Sequence, residues 1–162
     1  MTRHHRSLAA LAAAVAALVG PPAAHAQSSR ATEYYSAATL ARTADSLRAE
    51  HAVAKVLGDR GAYQYVLVVR DATAGPEQHA RWTDVMLVQA GSATVLLGGQ
   101  YQNGREESPG ETRGGQLVGA TARQVGAGDL LVIPAGLPHQ VQVAAGTSIR
   151  YLTVKAPEGR GP

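Results

Sequence analysis

Apolar positions in the middle and C-terminal parts of the chain fall in short runs broken by Gly and Pro. That rhythm predicts strands rather than helices. Residues 63–70 are rich in Tyr and Val, and comparable runs occupy 83–89, 93–97, 116–125, 130–133, 140–143 and 148–154. Val, Ile, Thr and Tyr fit a pleated, half-buried surface. No helical pattern interrupts these runs, so their sheets should be largely antiparallel, as a sandwich or barrel. Upstream the period changes. Leu40, Ala44, Leu47, His51 and Ala54 recur at spacings of three and four. They predict a helix over 36–57, packed outside the sheets, with Ser36 as N-cap and Gly58 as its stop.

The first 26 residues read differently. Arg3 and Arg6 precede an apolar run over 8–19, broken by Gly20, Pro21 and Pro22 and followed by Ala24-His25-Ala26. This pattern predicts a secretory signal peptide cleaved after Ala26. The run is too short to span a bilayer, so the expected location is periplasmic or secreted, with no membrane attachment after cleavage. The 162 residues less these 26 leave 136, enough for one domain. The expected layout is a signal over 1–26, a helical extension over 27–61, a barrel over 62–155 and a flexible tail over 156–162. Losing Arg3 and Arg6 leaves 13 basic against 12 acidic residues, a net charge of +1. That balance gives no electrostatic footprint for nucleic acid. The absence of cysteine excludes disulfides, a thiol nucleophile and thiolate metal sites.

The stretch GDLLVIPAGLPHQVQV carries the most specific signal. Gly128, Pro134, Gly136 and His139 stand as G-x5-P-x-G-x2-H. Pro fixes φ and Gly permits φ > 0, so this is a tight turn that presents one imidazole at the start of a strand. The pattern resembles the second signature motif of the cupin superfamily, with Val143 where that motif ends in Asn. The upstream stretch EQHARWTDVMLVQAG resembles the first cupin motif in degenerate form. His79, Asp84 and Gly91 keep its spacings; Glu77 replaces its first histidine, and Asp84 stands for its glutamate.

The resemblance implies an all-β, cupin-type antiparallel barrel (jelly roll) with the N-terminal helix outside. It settles no activity, because one fold hosts many functions. It also implies an interior site of Glu77, His79, Asp84 and His139 over a floor of Met86, Val88, Val141 and Val143. Two imidazoles and two carboxylates suit a divalent Mn, Fe, Ni or Zn ion. Buried carboxylates need a cation or a shared proton, which favours a metal. The leading reading is a metal- and ligand-binding barrel, with oxygenase, isomerase or lyase chemistry open to it. The alternative is a metal-free module that binds or senses a small organic molecule; a homodimerisation scaffold is a third. The polar segment 98–115 reads as a solvent-exposed hairpin loop, with a lid carrying Tyr101, Arg105 or Arg113 as the competing reading. His51 reads as an ordinary surface histidine. Tyr151 and Lys155 share a strand face and read as packing residues.

Overall fold

The structure is a computed structural model that describes residues 32–158. The signal segment and the last four residues lie outside them. The compact unit that begins at Tyr35 opens with a helix, Ala37–Ala49 (α1). Twelve strands follow: Ala54–Asp59 (β1), Gln64–Arg70 (β2), Glu77–His79 (β3), Trp82–Leu97 (β4), Gln100–Gln102 (β5), Arg105–Ser108 (β6), Glu111–Arg113 (β7), Gln116–Val118 (β8), Thr121–Gly126 (β9), Leu130–Ile133 (β10), His139–Gln142 (β11) and Ile149–Pro157 (β12). Among the described residues no helix is long and apolar enough to cross a membrane.

All the strand pairings are antiparallel. The main sheet runs β1-β2-β12-β4-β11-β3-β7-β6, with β9 and β10 also pairing on β4, while β5 and β8 form a separate ribbon. The sequence predicts two strands where β4 is one. Its first half pairs with β12 and β10, and its second half with β9 and β11. The sheet therefore curls about β4. The bend falls at Gly91, which has φ +74°. A Cβ there would collide with the Ser148 carbonyl oxygen. Clash and left-handed backbone act together, so Gly91→Ala is expected to destabilise the fold by about 2 kcal/mol or more in urea unfolding. A loss below about 0.5 kcal/mol would contradict this account of the bend.

Two apolar layers meet on β2. Val66 and Val68 face the barrel interior with Met86, Val88, Val95, Val141 and Ile149. Leu67 and Val69 face the other way, against Ala44 and Leu47 of α1. Hence the four-residue buried run in β2, where a one-sided strand would alternate.

The helix is shorter than its periodicity predicts. Ser36 caps it as expected, its Oγ accepting from the Thr39 amide at 3.1 Å. The stop comes at His51 (φ +56°) rather than Gly58. The His51 amide donates to Arg48 O at 3.2 Å and the Ala52 amide to Leu47 O at 2.9 Å, closing the last turn. Residues 54–56 then pair with β2 instead of extending the helix, as the valines flanking Ala54 and Lys55 prefer. Gly58 lies at a bulge, where a Cβ would meet the Tyr65 ring.

Two more expectations are corrected. The last strand does not end at residue 155: Ala156 and Pro157 continue β12 opposite Thr83 and Trp82. The segment 98–115 is not a plain hairpin loop. It contains β5, β6 and β7, and β7 pairs directly with β3.

Candidate functional site

Strand register assembles the site. On β3, Glu77 and His79 are two residues apart and share the interior face. His139 of β11 stands opposite Glu77. Arg113 and Glu111 of β7 stand opposite Glu77 and His79. On the far wall, Lys155 of β12 stands opposite Asp84 of β4. The motif turn locks His139 in place. Gly136, at φ +77°, donates its amide to His79 O at 2.8 Å. Leu137 N closes on Pro134 O at 3.1 Å, and Gln78 Nε2 donates to Gly136 O at 2.7 Å.

The four residues singled out from the sequence do converge. His79, Asp84 and His139 are buried, and Glu77 is half-buried. Ligating atoms of Glu77, His79 and His139 lie within 4.8 Å of one another. Glu77 carboxylate oxygens lie 3.8 Å from His79 Nε2 and 3.6 Å from His139 Nε2. A tetrahedron with bonds of about 2.1 Å has edges near 3.4 Å, so these spacings suit a small divalent ion. Asp84 Oδ2 lies 3.4 Å and 3.8 Å from the same two nitrogens.

The orientation of the imidazoles is more telling than their distances. His79 Nδ1 lies 2.5 Å from Glu111 Oε2. His139 Nδ1 lies 3.1 Å from the Leu137 carbonyl oxygen. Carbonyl and carboxylate oxygens only accept, so each Nδ1 carries a proton, and in its neutral form each ring turns its Nε2 lone pair to the common centre. An outer acceptor that fixes the tautomer is how metal-ligating histidines are held.

Lys155 alters the charge balance. Its Nζ lies 2.9 Å from Asp84 Oδ1, 3.2 Å from Asp84 Oδ2 and 2.9 Å from His79 Nε2. Arg113 Nη1 donates to Glu77 Oε2 at 2.5 Å. Both carboxylates thus have a basic partner, and their burial alone does not demand a metal. The donor set still fits one: Glu77, His79 and His139 turn acceptor atoms to one point, and Asp84 joins them if Lys155 withdraws.

Lys155 is the site residue that sequence reasoning placed among packing residues. The signal was a charged side chain on the interior face of β12, in line with Tyr151 and Thr153. Glu111 had no signal, because it sits in a polar segment without a visible period. Arg113 appeared only in the lid reading of 98–115. It reaches the site from a paired strand, and Tyr101 anchors the same region by donating to Pro76 O at 2.8 Å. His51 is exposed and away from these residues, as expected.

The site opens onto a cavity of about 350 Å³. Val66, Val68, Met86, Ile133 and Val141 form its apolar wall, and Tyr151, Thr153 and Arg70 continue it away from the histidines.

No family model matches the sequence, and neither does any curated protein. Solved structures do. A Bacillus halodurans protein superposes with a TM-score of 0.53 at 19% identity, over 74% of this chain and 80% of that one. A cupin 2 conserved barrel domain protein from Rhodopseudomonas palustris gives 0.46 at 20%, over 67% and 62%. The polyketide cyclase RemF from Streptomyces resistomycificus gives 0.45 at 25%, over 67% and 66%. The chain thus spans less than two thirds of the length of the last two. The fold is that of a cupin. In this chain the degenerate first motif is compensated from other strands. Glu77, in the place of a histidine, is matched by Arg113, and the short Asp84 by Lys155.

Electrostatics follow from these partners. Burial pushes the Glu77 carboxyl up, but the hydrogen bond and charge of His139, with Arg113 and His79, outweigh it and hold Glu77 well below the usual range. Burial also opposes the Asp84 carboxylate; His79 and Lys155 outweigh it and lower its pKa. For His79, burial and the Lys155 charge disfavour the protonated ring, while Asp84 and Glu77 favour it, and the balance is upward. The signs give a window. The two carboxylates contribute stability that is present above their ordinary values of 4.5 and 3.8 and is lost as pH falls through the folded-state values. The His79 contribution is full below 6.5 and is lost as pH rises through its raised value. Melting of the metal-free protein is therefore expected to peak between about pH 5 and 6.5. A melting temperature that climbs steadily from pH 5 to 8 in chelator would contradict these pairings.

Proposed function

We propose that this cupin is an exported protein that holds one divalent first-row ion on Glu77, His79 and His139 and takes a small organic ligand into the adjoining cavity. The observation that carries the reading is the pair of outer acceptors: each Nδ1 lies against an oxygen that only accepts, and the ligating atoms of both rings converge on one point with a Glu77 oxygen. An ion bound there would act as a Lewis acid toward a ligand oxygen. The chain's own residues do the rest. Arg113 fixes the Glu77 carboxylate, Glu111 fixes the His79 ring, the Gly136 turn fixes His139, and the apolar wall keeps bulk water from the ligand. Oxygenase, isomerase and lyase reactions are the classes such a site would serve.

A second reading has its own observation. Lys155 already neutralises Asp84 and donates toward His79 Nε2, so the cavity is balanced without an ion and would serve a metal-free binding module. Elemental analysis of protein purified without chelator from the cell envelope separates the two. The metal reading expects near one equivalent of Mn, Fe, Ni or Zn per chain; trace amounts support the metal-free module. N-terminal sequencing of the same sample should begin near Gln27. An intact Met1 would sink the export proposal, which rests on the sequence of the first 26 residues alone.

A further inference from the structure

The cavity has a second polar end. Interior positions of β12 run Tyr151, Thr153, Lys155. Tyr151 is four residues from Lys155, about 13 Å at some 3.3 Å per residue. Arg70 closes β2 at that same end, opposite Ile149, and its Nε donates to the Tyr151 hydroxyl oxygen at 3.4 Å. Both side chains line the cavity. The Arg70 partner is a neutral phenol, and no carboxylate of the described residues pairs with its guanidinium. The guanidinium keeps further N–H donors beside the cavity it lines, and a planar, two-oxygen anion matches that fork best. Between the two ends lies Thr153, 5% exposed, with an Oγ that has no hydrogen-bond partner among the described residues. An unpartnered buried hydroxyl is costly unless something fills the site. The flanking walls, Val66, Val68 and Met86, are apolar.

We infer that the Arg70–Tyr151 end is a carboxylate subsite. The ligand is a short, mainly apolar molecule with a carboxylate held by Arg70 and Tyr151, a middle segment along the valine wall, and its other end at the histidines. At roughly 30 Å³ per heavy-atom group, the 350 Å³ cavity takes about a dozen such groups. This inference rests on the ligand-binding half of the proposed function and not on its metal half.

Octanoate, with ten heavy atoms, is the probe, titrated calorimetrically into chelator-treated full-length protein. Wild type is expected to bind octanoate at least tenfold more tightly than 1-octanol, since the carboxylate supplies the contact to Arg70. Arg70→Gln is expected to lose at least tenfold in octanoate affinity. It should keep the wild-type affinity for Zn, which separates failure of the subsite from failure of the metal site. Equal affinity for octanoate and 1-octanol overturns the inference without any variant, should Arg70→Gln not fold. Unchanged octanoate binding in Arg70→Gln overturns it too, as does binding lost only in Lys155→Met, which would put the carboxylate at the other end. Octanoate binding that depends on Arg70 in a protein that takes up no metal leaves the subsite standing and removes the metal reading.

Discussion

Replacing His139 by Ala is expected to abolish metal-dependent stabilisation while leaving the barrel folded. An ion that binds the folded state alone stabilises it by about 2.7 kcal/mol at a hundredfold excess over its dissociation constant. For a domain of this size that is a melting shift of about 8–12 °C. His139 is 3% exposed and is held by one backbone hydrogen bond, so its truncation also leaves a small cavity. The comparison is therefore a difference of differences. Wild type should melt higher with Zn or Mn than in chelator, and His139→Ala should melt at one temperature in both. A variant that keeps the full shift would remove His139 from the ligand set. Asp84→Asn should retain most of it, since Lys155 already engages both Asp84 oxygens.

Replacing Lys155 by Met is expected to have opposite effects on the two states. Met keeps most of the volume and removes the cation. Asp84, 7% exposed, is then a buried carboxylate facing two imidazoles without its ammonium. Breaking one half of a buried pair in this way costs about 3 kcal/mol or more. In chelator at pH 7 the variant should melt well below wild type. The deficit should narrow as pH falls, because a protonated Asp84 needs no cation. Added metal should restore most of the loss and bind more tightly than in wild type, since the competing charge is gone and Asp84 is free to join the donors. A variant as stable as wild type in chelator, with weaker metal binding, would show that Lys155 supports the ion rather than standing in its place.

Most of the barrel was legible because its signals are local. Val- and Tyr-rich runs closed by Gly and Pro marked the strands, and the Gly128–His139 spacing marked the turn that seats the histidine. The helix end was not legible. Its apolar period continues through His51 and Ala54, and pairing with β2 overrode it. One-dimensional spacing also split β4, because Gly91 looks like a turn and serves as a bend between two sheet halves.

Within the site, residues placed by a motif were found and residues placed by register were missed. Glu77, His79, Asp84 and His139 follow from sequence spacing. Glu111, Arg113 and Lys155 reach them only through the pairing of β7 with β3 and of β12 with β4, at separations of 32, 36 and 71 residues. The argument that buried acids favour a metal loses force for the same reason, since their basic partners arrive through the fold.

The central claim is that Glu77, His79 and His139 form a metal centre in the presence of Lys155. Calorimetric titration of chelator-treated, dialysed protein with Mn, Fe, Ni and Zn in turn tests it most directly. The expected result is a single site per chain for at least one of these ions, weakened at least a hundredfold in both His79→Ala and His139→Ala. No binding heat and no melting shift with any of the four would contradict it and leave Lys155 as the site's resident cation.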